Sequence, residues 1–471
     1  MSSVRLNTLF VAIGQGLRIA MAMLLLPVAS RILGPASFGR YNLATTVMFF
    51  TMLADDLGLN MWVTREIARQ KERAQRYFAY TAGLKLLLIP LSLLFVAIYL
   101  EIGSYDAETV QAVWIFTLYA VLCSFRDLAI ALFRAFEQME WESLALSIEK
   151  VLTTAAGIAV LLLGGGLTGL AWTFTAAAAA SLLFCVRPLF SRFVRPALAI
   201  SGREFLPMLR GAVVFGISVF LTTVYSHIDM LMLSWLKGPE YWGYFAAAHK
   251  LIDFSNFVPT VVMIATFPAL SRASGQYAGD LHRLFTRGFK WLLLLAIPMV
   301  PGVLLLARPV ILGFYGAAYA PSIPALQILG GTAAVLFLNI FAAGVFGATN
   351  NQGKLVIIQI GGLVLSTSLN YLLIPHYAHV GSSMASLITE SLVLTATLIL
   401  AFKRIVRLTE KRFILHALLA AAVMSALLYG LRGWPVFAAV ALAAALYFAV
   451  LFALKTITWQ EIWQFKKVKQ A

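Results

Sequence analysis

The sequence predicts an all-α integral membrane protein with about fourteen transmembrane helices, and three observations predict it. The first is composition. The chain is 61% hydrophobic and 12% charged over 471 residues, with a mean hydropathy of +0.87, whereas a soluble domain is roughly half apolar and about a quarter charged. The second is that apolar runs, most near the ~20 residues needed to cross a bilayer, recur along the whole chain. The third is that Lys and Arg fall mainly in every second connection, as the positive-inside rule requires.

The runs lie near residues 6–30, 41–64, 79–100, 110–133, 144–163, 167–186, 208–236, 243–268, 291–312, 323–349, 355–374, 381–402, 413–431 and 435–454. The first is longer than a signal-peptide core and carries Arg18 in its middle, so it reads as a retained first helix. The fifth and sixth are separated only by Gly164, Gly165 and Gly166. The connections are short and leave no room for a soluble domain. With the N-terminus cytoplasmic, 26 of the 36 Lys and Arg residues fall inside, 5 outside, and 5 within or at the ends of runs. Both termini are therefore expected on the cytoplasmic side with an even number of spans, and the net charge of +16 needs no nucleic acid to explain it. Cys123 and Cys185 both sit inside apolar runs and suggest neither a metal site nor a disulfide framework.

One motif is written twice. SRILGPASFGRY (30–41) overlays SWLKGPEYWGYF (234–245) at an offset of 204, matching Ser30 with Ser234, Gly34 with Gly238, Pro35 with Pro239 and Gly39 with Gly243. Gly-Pro ends one helix and starts the next, and the flanking aromatics suit an interface. The copies follow helices 1 and 7, so the repeat is parallel, related by an axis along the membrane normal. The expected organisation is a six-helix lobe over 1–200, a second over 201–405, and helices 13–14 with a basic tail over 406–471. The two lobes would enclose a central cavity that opens by rocking to either side.

LGPASFGRY, followed by LADDLGLNMWVTREIAR, resembles the amino-terminal signature of bacterial polysaccharide-biosynthesis exporters. HIDMLMLSWLKGPEYWGYFAAAHKL resembles the matching helix 7–8 segment of that family. This is the oligosaccharide-lipid flippase branch of the multidrug/oligosaccharidyl-lipid/polysaccharide (MOP) exporter superfamily. The resemblance implies transport of an undecaprenyl-diphosphate-linked glycan from the cytoplasmic to the periplasmic leaflet of the inner membrane. The glycan would be an O-antigen or exopolysaccharide repeat unit. It also implies a monomer without cofactors, with polysaccharide polymerase and assembly proteins as candidate partners.

A charge within the bilayer is costly and marks a functional candidate. Arg18 shares a small, polar stripe with Gly14, Gln15 and Ala22, and a guanidinium offers a diphosphate forked, permanently charged donors. Lys250, with His249 beside it and Asp253 three residues on, is a second candidate cation, although the Lys–Asp pair could neutralise itself. Arg126 is a third; it and Asp127, adjacent in sequence, are expected to point apart, and Lys85 is expected to snorkel to the headgroups. Tyr225 is a candidate for stacking on sugar and lies on one stripe with Ser218, Thr222 and Asp229. His227 reads as a satisfied interior imidazole, and Trp62, Trp235 and Tyr244 as interface anchors before sugar platforms. Candidates for ion coupling or gating are Asp229, Asp253, His249, Asp55, Asp56 and Glu390, with Asp55 and Asp56 expected to pair with Arg18 or Arg126. Two other functions compete: a cation-coupled drug antiporter of the same superfamily, whose cavity should be rich in carboxylates, and a membrane-embedded glycan polymerase or ligase, which should carry a large acidic outer loop. Arg18 in the middle of helix 1 favours an anion over the first, the short outer segments disfavour the second, and no GxxxxGK[ST] phosphate loop is present. His376 and His379 lack the further ligands a metal needs.

Overall fold

The computed structural model describes residues 2–103, 105–276, 278–349, 351–406 and 411–458, with side chains described outside 2–12 and positions 214, 215, 218, 264, 265, 275, 276, 278, 279 and 404. The described chain is all helical. In order the helices are α1 (2–33), α2 (35–56), α3 (Leu59–Arg69), α4 (Ala74–Gly103), α5 (Ala107–Ala135), α6 (Met139–Leu162), α7 (Gly166–Arg192) and α8 (Gly202–Lys237). There follow α9 (Pro239–Ser255), α10 (Phe257–Gln276), α11 (Ala278–Phe314), α12 (Ser322–Ala348), α13 (352–377), α14 (379–404), α15 (Arg412–Gly430) and α16 (Val436–Ala453).

Eleven stretches among the described residues are long and apolar enough to cross a bilayer. Two of them, Ile13–Asp56 and Gln352–Lys403, are broken once, at Gly34 and Ala378, and each half is long enough to span. Counting the halves separately, with the bent stretch from Pro239 to Ser274 as one more, reaches the fourteen spans read from the sequence. The protein is a multi-pass membrane protein.

The breaks have local causes. Gly34 (φ 72°) and Gly238 (φ 89°) adopt a backbone that side chains disfavour, and each is followed by a proline that opens the next helix. The second apolar run, read as continuous to residue 64, is instead cut at Leu57 (φ 43°) and Gly58 (φ 84°). Asp55 and Asp56 therefore stand at a helix end, and α3 turns an amphipathic face inward, burying Leu59, Val63 and Ile67.

The chain forms two compact units, Met1–Gly243 and Tyr244–Ala471. In the first, α3 packs in one core with Leu128 and Leu132 of α5 and Cys185 and Leu189 of α7. In the second, Phe285 and Phe289 of α11 pack with Phe341 and Phe346 of α12. The last two helices pack on α11: Ala417, Ala420 and Ala421 of α15 and Ala439 and Ala443 of α16 are buried, and Tyr447 donates to the Leu294 carbonyl at 2.7 Å. Lipid is as apolar as leucine, so the gain is close van der Waals contact between small side chains rather than exclusion of water.

Candidate functional site

The densest cluster of membrane-embedded charge in the first unit is built by α2, α4, α5 and α6. Lys85 of α4 is fully buried. Its ammonium donates to Asp56 Oδ1 of α2 at 3.0 Å and to Ser124 Oγ of α5 at 3.1 Å. It does not snorkel. Asp56 also accepts the Asn60 backbone N–H at 3.1 Å, so the same carboxylate holds the start of α3. The partner of Asp56 is thus neither Arg18 nor Arg126.

Arg126 is 5% exposed, and its guanidinium is used on both edges. Nε and Nη2 donate to Asp127 Oδ1 at 2.9 and 2.7 Å, while Nη1 donates to Glu149 Oε2 of α6. Arg126 and Asp127 therefore pair with each other instead of pointing apart. Tyr119, about two turns earlier on α5, donates to Glu149 Oε1 at 2.6 Å. Glu149 is the member that the sequence reading missed; it lies beside Lys150 near the cytoplasmic end of its run and passes for a loop charge. Its one sequence signal is the spacing of Tyr119 and Arg126, seven residues apart on one face of α5 and needing a common partner.

Asp55 differs from the rest. It is fully buried, and neither carboxylate oxygen has a hydrogen-bond partner. Ser92 lies in reach of it and Lys85 and Asp56 act on it electrostatically, but the Ser92 hydroxyl is committed to the Ile89 carbonyl at 2.8 Å and the Lys85 ammonium to Asp56 and Ser124. The cluster as a whole sets four carboxylates (Asp55, Asp56, Asp127, Glu149) against two cations (Lys85, Arg126).

Arg18 stands apart from this network. It is half-buried on α1, and Nη2 donates to Gln15 Oε1, a neutral group one turn back. A Cβ on Gly14 would overlap Ser143 Oγ of α6, so α1 lies close against α6 here, with Arg18 beside the contact. Among the described residues Arg18 forms no ion pair. Glu142 acts on it from a distance and is itself held by Arg134 at 2.8 and 2.5 Å. On α8, Tyr225 and Asp229 are half-buried, the His227 ring stacks on Phe49 at 5.8 Å, and Ser218 lies outside the described residues. Trp62 is buried edge-on against Tyr77, which removes it as an interface anchor.

In the second unit, the Asp253 carboxylate meets His249 Nδ1 one turn back at 3.3 Å; Asp253 and Lys250 form no ion pair among the described residues. Glu390 has a partner that the sequence did not reveal: Asn339 of α12 donates to its carboxylate at 2.6 Å and to its backbone carbonyl at 3.2 Å. Tyr244 is buried in an aromatic cluster with Tyr319 and His379 rather than anchored at an interface. His379 Nε2 donates to the Pro321 carbonyl at 2.8 Å.

Comparison with known proteins places this geometry. A family model described as polysaccharide biosynthesis protein matches residues 4–274, and one described as MatE matches residues 215–372. The putative O-antigen transporter of Escherichia coli (strain K12) is 23% identical over 417 residues, covering 85% of this chain and 97% of that protein. Among solved structures, lipid II flippase MurJ in an inward closed conformation matches with a TM-score of 0.79 at 14% identity, over 96% of this chain and 100% of that one. An inward-facing multidrug resistance MATE family transporter of the MOP superfamily matches with a TM-score of 0.67 at 16% identity, over 83% and 97%. At these identities the structural likeness concerns the fold alone. The fold and the family matches agree, and the polysaccharide model covers more than half of the chain. This protein belongs to the polysaccharide biosynthesis protein family.

Proposed function

We propose that this protein is a flippase that carries a polyprenyl-diphosphate-linked oligosaccharide, an O-antigen or exopolysaccharide repeat unit, from the cytoplasmic to the periplasmic leaflet of a bacterial inner membrane by alternating access. The observation that carries the reading is the contrast among the membrane-embedded cations of the first unit. Lys85 and Arg126 are matched to carboxylates, whereas among the described residues Arg18 forms no ion pair and donates to the neutral Gln15. A half-buried guanidinium with a neutral partner keeps its forked donors for a diphosphate, whose charge replaces the hydration Arg18 has lost. The isoprenoid tail stays in the bilayer while the head and glycan cross.

In reconstituted vesicles carrying labelled diphosphate-lipid glycans, Arg18→Ala is expected to slow leaflet exchange by about 10–100-fold, the equivalent of the ~1.5–3 kcal/mol of a hydrogen bond to a charged group. Arg18→Lys keeps the charge without the fork and falls between. Equal rates for the wild type and Arg18→Ala would remove Arg18 from the mechanism. Failure of the wild type to move any such glycan, with uptake of cationic drugs instead, would favour the antiporter.

Uphill transport needs a second ligand with different affinities for the two states. We assign that role to Asp55. A buried carboxylate without a hydrogen bond is costly, and binding a proton or a sodium ion relieves it. Asp55→Asn should leave downhill exchange within about threefold of wild type and abolish its acceleration by an imposed proton or sodium gradient. Full gradient response in Asp55→Asn would move the coupling site elsewhere, with His249–Asp253 and Glu390 next to be tested.

A further inference from the structure

The first unit carries a cavity remote from the buried charges. The link before α5, the end of α8 and the Gly238–Pro239 turn enclose about 530 Å³, within the usual size of a small-molecule site. It lies at the far end of α4 from the basic segment Lys71–Arg73, and thirty helical residues separate the two by about 45 Å.

Its walls combine two chemistries. One is an aromatic stack. Tyr99 lies against Tyr105 at 5.6 Å and 28° and against Trp235 at 6.1 Å and 33°. The stack is pinned by a 2.7 Å hydrogen bond between the Tyr99 and Tyr105 hydroxyls, and Tyr105 reaches Ser234 at 3.5 Å. Tyr99 is the buried middle of the stack, between Tyr105 and Trp235, and Trp235, 57% exposed, is its open end. The other chemistry is polar. Asp106, held by Arg40 Nη2 at 2.5 Å and capping α5 through the Thr109 N–H at 3.3 Å, lines the same cavity as Lys237.

We infer that this cavity is a saccharide subsite on the face opposite the basic segments, where the glycan arrives after crossing. A pyranose has an apolar C–H face that packs on an aromatic ring and an equatorial rim of hydroxyls. Those hydroxyls are bonded best by charged acceptors and donors such as a carboxylate and an ammonium. An interface anchor needs only a ring among the headgroups. Trp235 instead has a rigid backing of two tyrosines and borders a hollow lined by Asp106 and Lys237. The proposal deepens the flippase reading and rests on it for the source of the sugar. Capture of the glycan here stabilises the outward state for the delivered substrate and disfavours its return.

The test uses full-length protein in nanodiscs and, as probe, the lipid-free oligosaccharides released by mild acid from the polyprenyl-diphosphate glycans of the cells that make the protein. Binding is read by saturation-transfer NMR, and leaflet exchange is measured in parallel. Wild type is expected to bind. Trp235→Ala should weaken binding at least tenfold, Lys237→Ala by severalfold, and Trp235→Phe should keep most of it, because stacking needs a ring and not an indole N–H. Unchanged binding in Trp235→Ala overturns the subsite, as does a wild type that flips the lipid-linked glycan yet binds none of the free sugar. Displacement of the sugar by the headgroup of an ordinary phospholipid, with Trp235→Ala losing only that lipid, overturns it too. A protein that binds the oligosaccharide but fails to flip supports the subsite while removing the flippase reading.

Discussion

Arg126→Ala is expected to destabilise the first unit by about 3–5 kcal/mol, the usual cost of taking one partner from a buried ion pair. The guanidinium holds two carboxylates on two helices, and its removal leaves Glu149 with a single donor, Tyr119. The loss comes from the orphaned charge rather than from the attraction that disappears, and this distinction can be tested. Removing the whole set with Tyr119→Phe, Arg126→Met, Asp127→Leu and Glu149→Leu should recover most of the stability, because apolar side chains of similar size pay no desolvation. Thermal unfolding in detergent, with tryptophan fluorescence as the probe, should place the quadruple variant near wild type and Arg126→Ala far below it. A control sits about two turns further along α5. Arg134 pairs with Glu142 but is about half exposed, so Arg134→Ala should cost no more than ~1 kcal/mol. Equal losses at 126 and 134 would mean that burial is not what makes the Arg126 pair count.

The spans were legible because the bilayer makes the same demand on every crossing segment: about 20 apolar residues with their backbone satisfied internally. The cut at Leu57 was not, because nothing in the chemistry of a leucine announces a positive φ; the following Gly58 was the visible half of the signal. Among the charges, sequence gave candidates but not partners. Periodicity states which residues share a helix face and is silent on which helix that face meets. Lys85 and Asp56 are 29 residues apart, and Arg126 and Glu149 are 23 apart. The depth of Lys85 was nevertheless readable. It lies eleven residues into α4, about 16 Å along the axis, too far for a lysine side chain to reach the end where the helix begins. Asn339 was overlooked as the partner of Glu390 because an uncharged amide in an apolar run raises no alarm until its neighbour is known. The stripe around Arg18 was legible but not its surroundings: Gln15 accepts from the guanidinium, and Glu142, the carboxylate that acts on it, is held by Arg134.

The twin turns carry the remaining prediction. Each copy places a second glycine five residues after its first, and the structure shows why that position is glycine. A Cβ on Gly39 would overlap the Pro239 carbonyl, and a Cβ on Gly243 would overlap the Pro35 carbonyl. The two copies face each other, backbone on backbone, in a reciprocal contact with local two-fold character. Phe38 and Trp242, which occupy matching positions of the repeat, are both fully buried beside it. Gly39→Ala or Gly243→Ala must therefore push two helix starts apart, since carbonyl groups within a helix cannot rotate away as a flexible side chain can. Either substitution is expected to slow glycan exchange at least tenfold. Gly16→Ala on α1, where a Cβ meets nothing within 4 Å, should leave exchange near wild type. Hydrogen exchange gives the sharper reading. If the contact is a single latch, one methyl at position 39 must raise amide exchange in both turns, around 34–43 and around 238–243, and a methyl at 243 must do the same. A rise confined to the substituted turn would show that the copies are neighbours without being coupled, and the repeat would then be a relic of duplication rather than a working joint.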